Sequence, residues 1–156
     1  MSFRVGMGVD AHAFADGVPL VLGGVRFDSP RGLAGHSDGD VITHAVIDAV
    51  LGAAGLGDIG SLFPSDGSTP EGISSLDLLR DALAQVHDAG YDVVNADCVL
   101  IGEQPRIAGR RSELERVLTD IARAPVTVRA TTTDKLGFTG RGEGLAAQAV
   151  ALVRSR

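Results

Sequence analysis

An apolar helix that carries ionisable side chains at regular spacing restricts most strongly how this chain can fold. Between positions 41 and 51, valine, isoleucine, alanine and leucine recur at helical spacing, which predicts a helix with a wide buried face. Ser37 is the predicted N-cap of this helix, and Asp40 completes a capping-box-like pattern. Gly52 and Gly55 mark its end.

Asp40, His44 and Asp48 recur every four residues and therefore lie along one stripe of this helix. Burying ionisable groups costs free energy unless they are paired or bound to a metal. Two interpretations stay open. The stripe is either a polar face turned to solvent, or a functional one in which His44 binds a metal. In the second case Asp40 or Asp48 can hold the imidazole in one tautomer.

Two further metal-binding side chains stand where the first strand ends. Residues 3–9 alternate as a strand and are followed by Asp10 and His12. Residues two apart on a strand point to the same face, so this carboxylate and imidazole can bind one ion together with His44. Two histidines and one carboxylate with an open fourth position are typical of catalytic zinc, although the same set also suits non-haem iron.

The segment 130–144, ATTTDKLGFTGRGEG, combines hydroxyl, carboxylate and guanidinium groups with four glycines. The threonines at 131–133 offer hydroxyl and backbone N–H groups, and Asp134 can hold magnesium through oxygen. Arg141 can make a two-pronged contact with a phosphate. The spacing is not that of a Walker loop. A glycine-rich turn leading into a helix is the alternative interpretation.

Two other positions offer polar groups to a ligand. His36 and Ser37, at the start of the first helix, can present an imidazole and a helix N-terminus to a phosphate. Otherwise Ser37 is only a cap and His36 lies in solvent. The sequence Asp58-Ile59-Gly60 falls in a predicted irregular loop over 56–73, where the Asp58 carboxylate can accept hydrogen bonds from a polyol.

The remaining pattern predicts the fold. We expect a hairpin over 18–28 that turns at Gly23-Gly24, a loop over 29–35, helices over 74–89, 110–123 and 143–153, and strands over 91–101 and 126–133. The order β, ββ, α, α, β, α, β, α predicts an α/β (α+β) two-layer sandwich, a mixed sheet with helices on one face. At 156 residues the chain fits one domain, 1–156. The other sheet face needs a cover, which oligomerisation would supply.

Charge and cysteine content narrow the class of protein. A net charge of −6 and a pI near 5.0 argue against a general nucleic-acid binder or a protein of anionic membranes. A single cysteine, Cys98, cannot form an internal disulfide, so a reducing compartment is expected. No apolar run has the length of a membrane span, and residues 1–4 lead directly into a strand. We therefore expect a cytoplasmic protein.

Five segments together resemble the 2-C-methyl-D-erythritol 2,4-cyclodiphosphate synthase family over nearly the whole chain. They are D-A-H-A-F (10–14), H-S-D-G-D-V-x-x-H (36–44), L-G-A-A-x-L-G-D-I-G (51–60), L-F-P (62–64) and T-T-T-D-K-L-G-F-T-G-R-G-E-G (131–144). The resemblance implies an enzyme of the non-mevalonate isoprenoid pathway. Such an enzyme converts 4-diphosphocytidyl-2-C-methyl-D-erythritol 2-phosphate to the cyclic diphosphate and CMP. The 2-phosphate attacks the β-phosphorus in line.

The resemblance also implies roles for particular residues. Asp10, His12 and His44 would hold zinc, and Asp134 would reach a second ion, Mg²⁺ or Mn²⁺, on the diphosphate. His36 and Thr132 would be catalytic by stabilising the transition state. Asp58 and Gly60 would contact the erythritol part, and Gly102 to Ala108 with Thr131 to Thr133 would form the cytidine pocket. The expected substrate-binding residues are Asp10, His12, His36, Ser37, His44, Asp58, Ile59, Gly60, Phe63, Gly102, Arg106, Ile107, Ala108, Thr131, Thr132, Thr133, Asp134, Phe138 and Arg141.

The implied assembly is a homotrimer with each site at a subunit interface and a cytidine diphosphate-linked small-molecule substrate, without nucleic acid or membrane partners. Three positions depart from the usual family pattern. Asp134 stands where Glu is usual, Ser65 stands where Asp usually follows Leu-Phe-Pro, and Arg106 stands where Lys is common. Two other hypotheses stay open at this point: an iron oxygenase, and a non-catalytic trimeric binding module for nucleotides or isoprenoid diphosphates.

Overall fold

The computed structural model describes residues 1–156 as seven strands and five helices. The strands are β1 (Phe3–Asp16), β2 (Leu20–Leu22), β3 (Val25–Phe27), β4 (Arg31–Leu33), β5 (Tyr91–Ile101), β6 (Val126–Thr131) and β7 (Gly144–Ser155). The helices are α1 (Val41–Ala54), α2 (Ile59–Leu62), α3 (Ser75–Asp88), α4 (Arg111–Ala122) and α5 (Gly137–Gly140), and a 3₁₀ turn covers Ala108–Arg110. None of the helices combines the length and apolar character needed to cross a membrane.

Five of the strands form one mixed sheet in the order β4-β1-β7-β5-β6, and β2 and β3 form a separate hairpin. Only β5 and β6 run parallel, and every other neighbouring pair is antiparallel. Helix α1 packs directly against β1, β7 and β5, α4 lies against β6, and α3 contacts both α1 and α4. The predicted mixed sheet with helices on one face is therefore confirmed.

The predicted first strand is confirmed and extends well beyond residue 9. Its even-numbered positions from Gly6 to His12 face the helix layer, and the odd-numbered positions face away from it. A Cβ built on Gly6 would lie 2.1 Å from the carbonyl oxygen of Ala49, so the backbones of β1 and α1 are in direct contact there. This close approach sets the height of α1 above the sheet and brings His44 beside Asp10 and His12 of β1.

The predicted helix over 143–153 is wrong, because this segment is β7, the strand between β1 and β5. Its many alanines favour a helix, but the side chains alternate between buried and more exposed positions along the strand. The buried positions are Leu145, Ala147, Ala149, Ala151 and Val153. Hydrogen bonding to a strand on each side decides the structure, and small side chains on the inner face leave room for α1.

The N-cap of α1 is Asp40, which corrects the prediction of Ser37. The buried Asp40 carboxylate accepts hydrogen bonds from Thr43 N (3.0 Å) and Thr43 Oγ1 (2.7 Å). It also accepts from the backbone N–H groups of Gly23 (2.9 Å) and Gly24 (2.7 Å). Burial raises the pKa of Asp40 above its ordinary value, although these donors oppose the shift. Asp40 therefore joins the helix start to the predicted hairpin turn, where both glycines have positive φ.

The other elements agree with the predictions except in two loops. The predicted loop 29–35 contains β4, which pairs with the end of β1. The predicted loop 56–73 contains the short helix α2. The predicted hairpin, the helices over 74–89 and 110–123, and the strands over 91–101 and 126–133 are present within a few residues of the expected bounds.

The sheet face opposite the helices is apolar and open to solvent. Along β1, Phe3 is 59%, Val5 67%, Met7 60% and Val9 59% exposed, and Val150 of β7 is 45% exposed. These side chains share one face because alternate residues of a strand point the same way. Exposed apolar surfaces of this kind are typical of places where proteins contact other molecules.

Candidate metal centre and substrate cavities

Asp10, His12 and His44 meet at the junction of β1 and α1, as the sequence predicted. Asp10 Oδ2 lies 2.7 Å from His12 Nε2 and 3.1 Å from His44 Nδ1, and the two nitrogens are 3.2 Å apart. The side chains are largely buried, with 23%, 18% and 9% of their surfaces exposed for Asp10, His12 and His44. The three potential ligand atoms therefore face one common point.

This donor set fits a zinc ion. Tetrahedral zinc with bonds of about 2.0–2.2 Å places neighbouring ligand atoms roughly 3.3 Å apart. The observed distances of 2.7, 3.1 and 3.2 Å are slightly shorter, because the side chains hydrogen-bond to one another. Only small outward shifts of the three side chains would admit the ion. A fourth position remains for a ligand, because these residues also line a cavity.

The electrostatics of the centre favour a cation between these groups. Burial acts to raise the pKa of Asp10, but the neighbouring imidazoles of His12 and His44 outweigh it and hold that pKa below its ordinary value. The hydrogen bond to Asp10 raises the pKa of His12. Protons and metal ions therefore compete for the same atoms.

The outer contacts of His44 differ from the prediction. His44 Nε2 lies 2.9 Å from Ser37 Oγ and 2.8 Å from Ser75 Oγ, and neither Asp40 nor Asp48 forms a hydrogen bond with the ring. Residues four apart on a helix are separated by about 6 Å along its axis, so each meets different neighbours. Asp40 caps the helix at one end of the stripe. Asp48 accepts a hydrogen bond from Ile59 N (2.7 Å) at the other end and so holds α2 against α1.

A cavity of about 170 Å³ opens beside the metal centre. Eight of its lining residues were predicted to bind substrate: Asp10, His12, His36, Ser37, His44, Ile59, Gly60 and Phe63. Three further lining residues, Thr69, Ile73 and Leu78, were not predicted, and Ser65 was identified only as a departure from the family pattern. They come from the loop after α2 and from α3, and no regular spacing relates them to the metal ligands.

One nitrogen of His36 is already engaged. His36 Nε2 lies 2.7 Å from the carbonyl oxygen of Thr69 and donates a hydrogen bond to it. The ring orientation is therefore fixed, and Nδ1 is the atom left for a ligand.

Asp58 stands outside the cavity and is fully exposed. Its side chain accepts from Ser61 N (2.8 Å) and caps α2, and this bond lowers the pKa of Asp58.

A second cavity, of about 200 Å³, lies at the ends of β5 and β6. Six of the predicted nucleotide-binding residues line it: Gly102, Arg106, Ile107, Ala108, Thr131 and Thr132. Ile107 is only 1% exposed, so most of its side chain belongs to the core. Arg111 and Ala130 line the cavity as well and were not predicted, whereas Glu103 and Pro105 fall within the predicted range 102–108. Glu103 and Arg111 add one negative and one positive charge to the lining.

Both cavities lie at the same end of the sheet. Ala11 of β1 pairs with Ala146 of β7, Ala146 with Ile101 of β5, and Ile101 with Thr131 of β6. Three spacings between neighbouring strands amount to about 14 Å. The two cavities of one chain are therefore separate rather than two halves of one pocket.

Two predicted residues of the segment 130–144, Thr133 and Asp134, line neither cavity. Thr133 Oγ1 donates to the carbonyl oxygen of Leu136 (2.6 Å) and so stabilises its own loop. Asp134 is exposed with a φ of 51°, and one of its carboxylate oxygens lies 3.4 Å from Thr132 Oγ1. Its carboxylate therefore stands at the surface beside Thr132.

Arg141 and Phe138 also lie outside both cavities. Arg141 pairs with Glu143, with nitrogen–oxygen distances of 2.9 and 3.1 Å to one carboxylate oxygen. Phe138 is 43% exposed. Within a single chain these two side chains face solvent instead of the predicted ligand.

The comparisons with known proteins agree with this geometry. Residues 3–154 match the YgbB family. The chain is 52% identical over 155 residues to the 2-C-methyl-D-erythritol 2,4-cyclodiphosphate synthase of Syntrophobacter fumaroxidans, and the alignment covers 97% of this chain and 98% of that protein. The bifunctional IspDF from Campylobacter jejuni superposes with a TM-score of 0.95 at 35% identity, and the match covers 99% of this chain and 43% of that chain. IspF of Plasmodium falciparum in complex with CDP gives a TM-score of 0.85 at 30% identity, over 99% of this chain and 97% of that one.

Proposed function

Because the chain belongs to the YgbB family of 2-C-methyl-D-erythritol 2,4-cyclodiphosphate synthases, we propose that Asp10, His12 and His44 hold a zinc ion at its reaction centre. The chain is an enzyme of isoprenoid precursor biosynthesis. It converts 4-diphosphocytidyl-2-C-methyl-D-erythritol 2-phosphate to the 2,4-cyclodiphosphate and CMP. The iron-oxygenase and non-catalytic hypotheses are set aside on this ground.

The reaction needs positioning more than a protein nucleophile. An oxygen of the substrate's own 2-phosphate forms the new bond to the β-phosphorus, and the bond between that phosphorus and the CMP oxygen breaks. When bound, zinc would supply positive charge that orients and polarises the β-phosphate. The observation that carries the proposal is the convergence of the three ligand atoms beside the cavity of about 170 Å³.

The residues around the metal centre would orient the substrate. His36, fixed through Thr69, would present Nδ1 to a phosphate oxygen and stabilise the charge of the transition state. Ser37 and Gly60 line the same cavity and can bind the erythritol part through hydroxyl and backbone groups. Asp58 would contact the erythritol hydroxyl groups with the carboxylate oxygen that does not cap α2.

Asp134 would reach a second ion, Mg²⁺ or Mn²⁺, that lies on the diphosphate. Magnesium keeps several waters and is usually bound by one or two carboxylates together with substrate phosphates. A single exposed carboxylate beside Thr132 suits that mode of binding. Thr132 would stabilise the transition state from the same position, and Arg141 would contact phosphate once released from Glu143.

The nucleotide would bind in the second cavity, with the chain assembled as a homotrimer. Gly102 to Ala108 and Thr131 to Thr133 would surround the cytidine. The separation of about 14 Å across the sheet between Ala11 and Thr131 supports a site completed by the neighbouring subunit. The open apolar face of β1 and β7 supports burial between subunits. Phe138 would meet the substrate or a neighbour in that assembly.

We further propose that residues 1–156 act as one catalytic domain in the cytoplasm. The single cysteine is unpaired and buried, which suits a reducing compartment. The charge of −6 supports a small-molecule substrate without nucleic acid or membrane partners.

The test is product formation from the pathway substrate. Phosphorus NMR should show CMP and a cyclic diphosphate with wild-type enzyme, and neither with His44→Ala. His87→Ala is the matched control, because His87 is a surface histidine with 59% of its side chain exposed. Undiminished CMP release by His44→Ala would contradict the metal assignment. A linear phosphate product from the wild type would contradict the cyclisation.

A further inference from the structure

We propose that Asp38 and Ser75 are positioning residues that fix the tautomer of His44, so that its Nδ1 lone pair is directed at the metal. The proposal deepens the proposed function, because it rests on a metal bound by Asp10, His12 and His44. Neither residue was predicted to act in the site. Ser75 falls within the predicted helix over 74–89 and Asp38 within the segment 36–44, and neither has a predicted role.

The direction of the hydrogen bonds follows from the contacts of Ser75. Ser75 Oγ has a single hydrogen, and it lies within short hydrogen-bond distance of a carboxylate oxygen of Asp38. A carboxylate is an acceptor only, so Ser75 donates to Asp38. Ser75 Oγ can then only accept from His44 Nε2, 2.8 Å away, and Ser37 Oγ, 2.9 Å from the same nitrogen, accepts as well. The hydrogen of the His44 ring is therefore on Nε2.

Asp38 is held independently of His44. Its second carboxylate oxygen accepts from Ser75 N (3.0 Å), and the oxygen that meets Ser75 Oγ also accepts from Asp40 N (3.1 Å). Ser75 is the first residue of α3, where backbone N–H groups favour a negative charge. Ser75 itself is fully buried. The Asp38 carboxylate is thus part of the rigid junction between α3 and the segment before α1.

With its hydrogen on Nε2, the His44 ring presents only a lone pair at Nδ1. That lone pair faces Asp10 Oδ2 at 3.1 Å and His12 Nε2 at 3.2 Å. Two acceptors, the nitrogen and the carboxylate oxygen, then face each other, and a cation satisfies both. Without Ser75 and Asp38 the ring can move its hydrogen to Nδ1 and donate to Asp10. That arrangement occupies the metal-binding atoms with a hydrogen bond.

The first test is zinc affinity, measured by competition with a chromophoric chelator. Ser75→Ala and Asp38→Asn should each bind zinc roughly 10–100-fold more weakly than wild type, as outer-shell partners of metal ligands do. Ser75→Thr keeps the hydroxyl and should restore most of the affinity. Ser74→Ala is the matched control, because Ser74 precedes α3 and makes no side-chain capping bond. Wild-type affinity in both Ser75→Ala and Asp38→Asn would overturn the proposal.

The second test reads the tautomer directly and needs no metal. Long-range ¹H–¹⁵N spectra of the histidine rings in the metal-free protein should show the His44 hydrogen on Nε2 in wild type and Ser74→Ala. Ser75→Ala and Asp38→Asn should shift it toward Nδ1. An unchanged His44 signature in both variants would overturn the proposal even where zinc binding fell.

The two readouts separate this proposal from the metal assignment. Wild-type protein that binds no zinc would contradict the proposed function alone, and the tautomer shift would still decide the role of Asp38 and Ser75. Asp38→Asn preserves side-chain size at a half-buried position, so it remains informative if Ser75→Ala does not fold.

Discussion

Gly8 of β1 lies directly against Ala45 of α1, since a Cβ built on Gly8 would stand 2.0 Å from the Ala45 carbonyl oxygen. His44, the neighbour of Ala45, thereby reaches Asp10 and His12, which lie two and four residues beyond Gly8 on the same face of β1. The metal centre depends on this backbone contact, because any side chain at Gly8 would lift the helix away from the strand.

Gly8→Ala should therefore destabilise the fold and weaken the metal centre together. Overpacking a close contact costs about 1–3 kcal/mol, and here the obstructing atoms are backbone. Urea unfolding measures the first effect, and zinc competition measures the second. Gly67→Ala is the control, because a Cβ there meets nothing within 4 Å. Equal stability of Gly8→Ala and wild type would contradict the described contact.

As the pH is lowered, zinc affinity should begin to decrease at a higher pH than it would for a site built from a free imidazole. The hydrogen bond to Asp10 raises the pKa of His12 above 6.5, so zinc has to displace a proton that is held to higher pH. In the metal-free protein the same shift stabilises the fold below pH 6.5, and this stability is lost as pH rises through the raised value. Chelator competition across pH checks the first statement, with His87→Ala as control. Affinity that stays level until below pH 6.5 would contradict it.

Cys98 should not react with thiol reagents in the native protein. Its side chain is fully buried in β5, and burial raises the pKa of the thiol to about 12. A disulfide-exchange dye at mildly alkaline pH should therefore react only after denaturant unfolds the chain. Rapid reaction of the native protein would show that the helix layer opens at β5.

Asp134→Asn should raise the magnesium concentration needed for half-maximal CMP release. The loss of one carboxylate should shift it by roughly tenfold, equivalent to about 1.4 kcal/mol, because phosphates and water hold most of the ion. Asp134→Glu should behave like wild type, since it keeps the charge. Asp81→Asn, at an exposed position of α3, is the control. If Asp134→Asn had the same magnesium dependence as wild type, the assignment of Asp134 to the second metal site would be contradicted.

Val5→Lys should dissociate the proposed homotrimer. Val5 is 67% exposed on the open sheet face, and a charge placed there would be buried between subunits. Light scattering should give three chains for wild type and for the control Asp81→Lys, and one chain for Val5→Lys, with loss of CMP release. A monomeric wild type with full activity would contradict shared sites.

The parts of the site that follow one element's periodicity could be predicted from the sequence. Asp10 and His12 share a strand face because they are two residues apart, and the structure has them facing α1. His44 stood out because an imidazole interrupts an apolar helix. Both features follow from the geometry of a single strand or helix.

The parts that depend on tertiary neighbours could not be predicted. The helical propensity of the alanines in β7 is overridden by two flanking strands, which local sequence does not reveal. Asp40 displaced Ser37 as N-cap because the distant Gly23-Gly24 turn supplies it with further donors. Ser75 reaches His44 across 31 positions of the chain, and no spacing rule relates the two.

The most direct test of a metal-centred reaction is a zinc titration of metal-stripped enzyme, followed by the rate of CMP release. The rate should rise in proportion to bound zinc and level off at one ion per chain, and His44→Ala should show neither high-affinity binding nor activity. Full CMP release by the metal-stripped enzyme, with no dependence on added zinc, would contradict a metal-centred reaction at Asp10, His12 and His44.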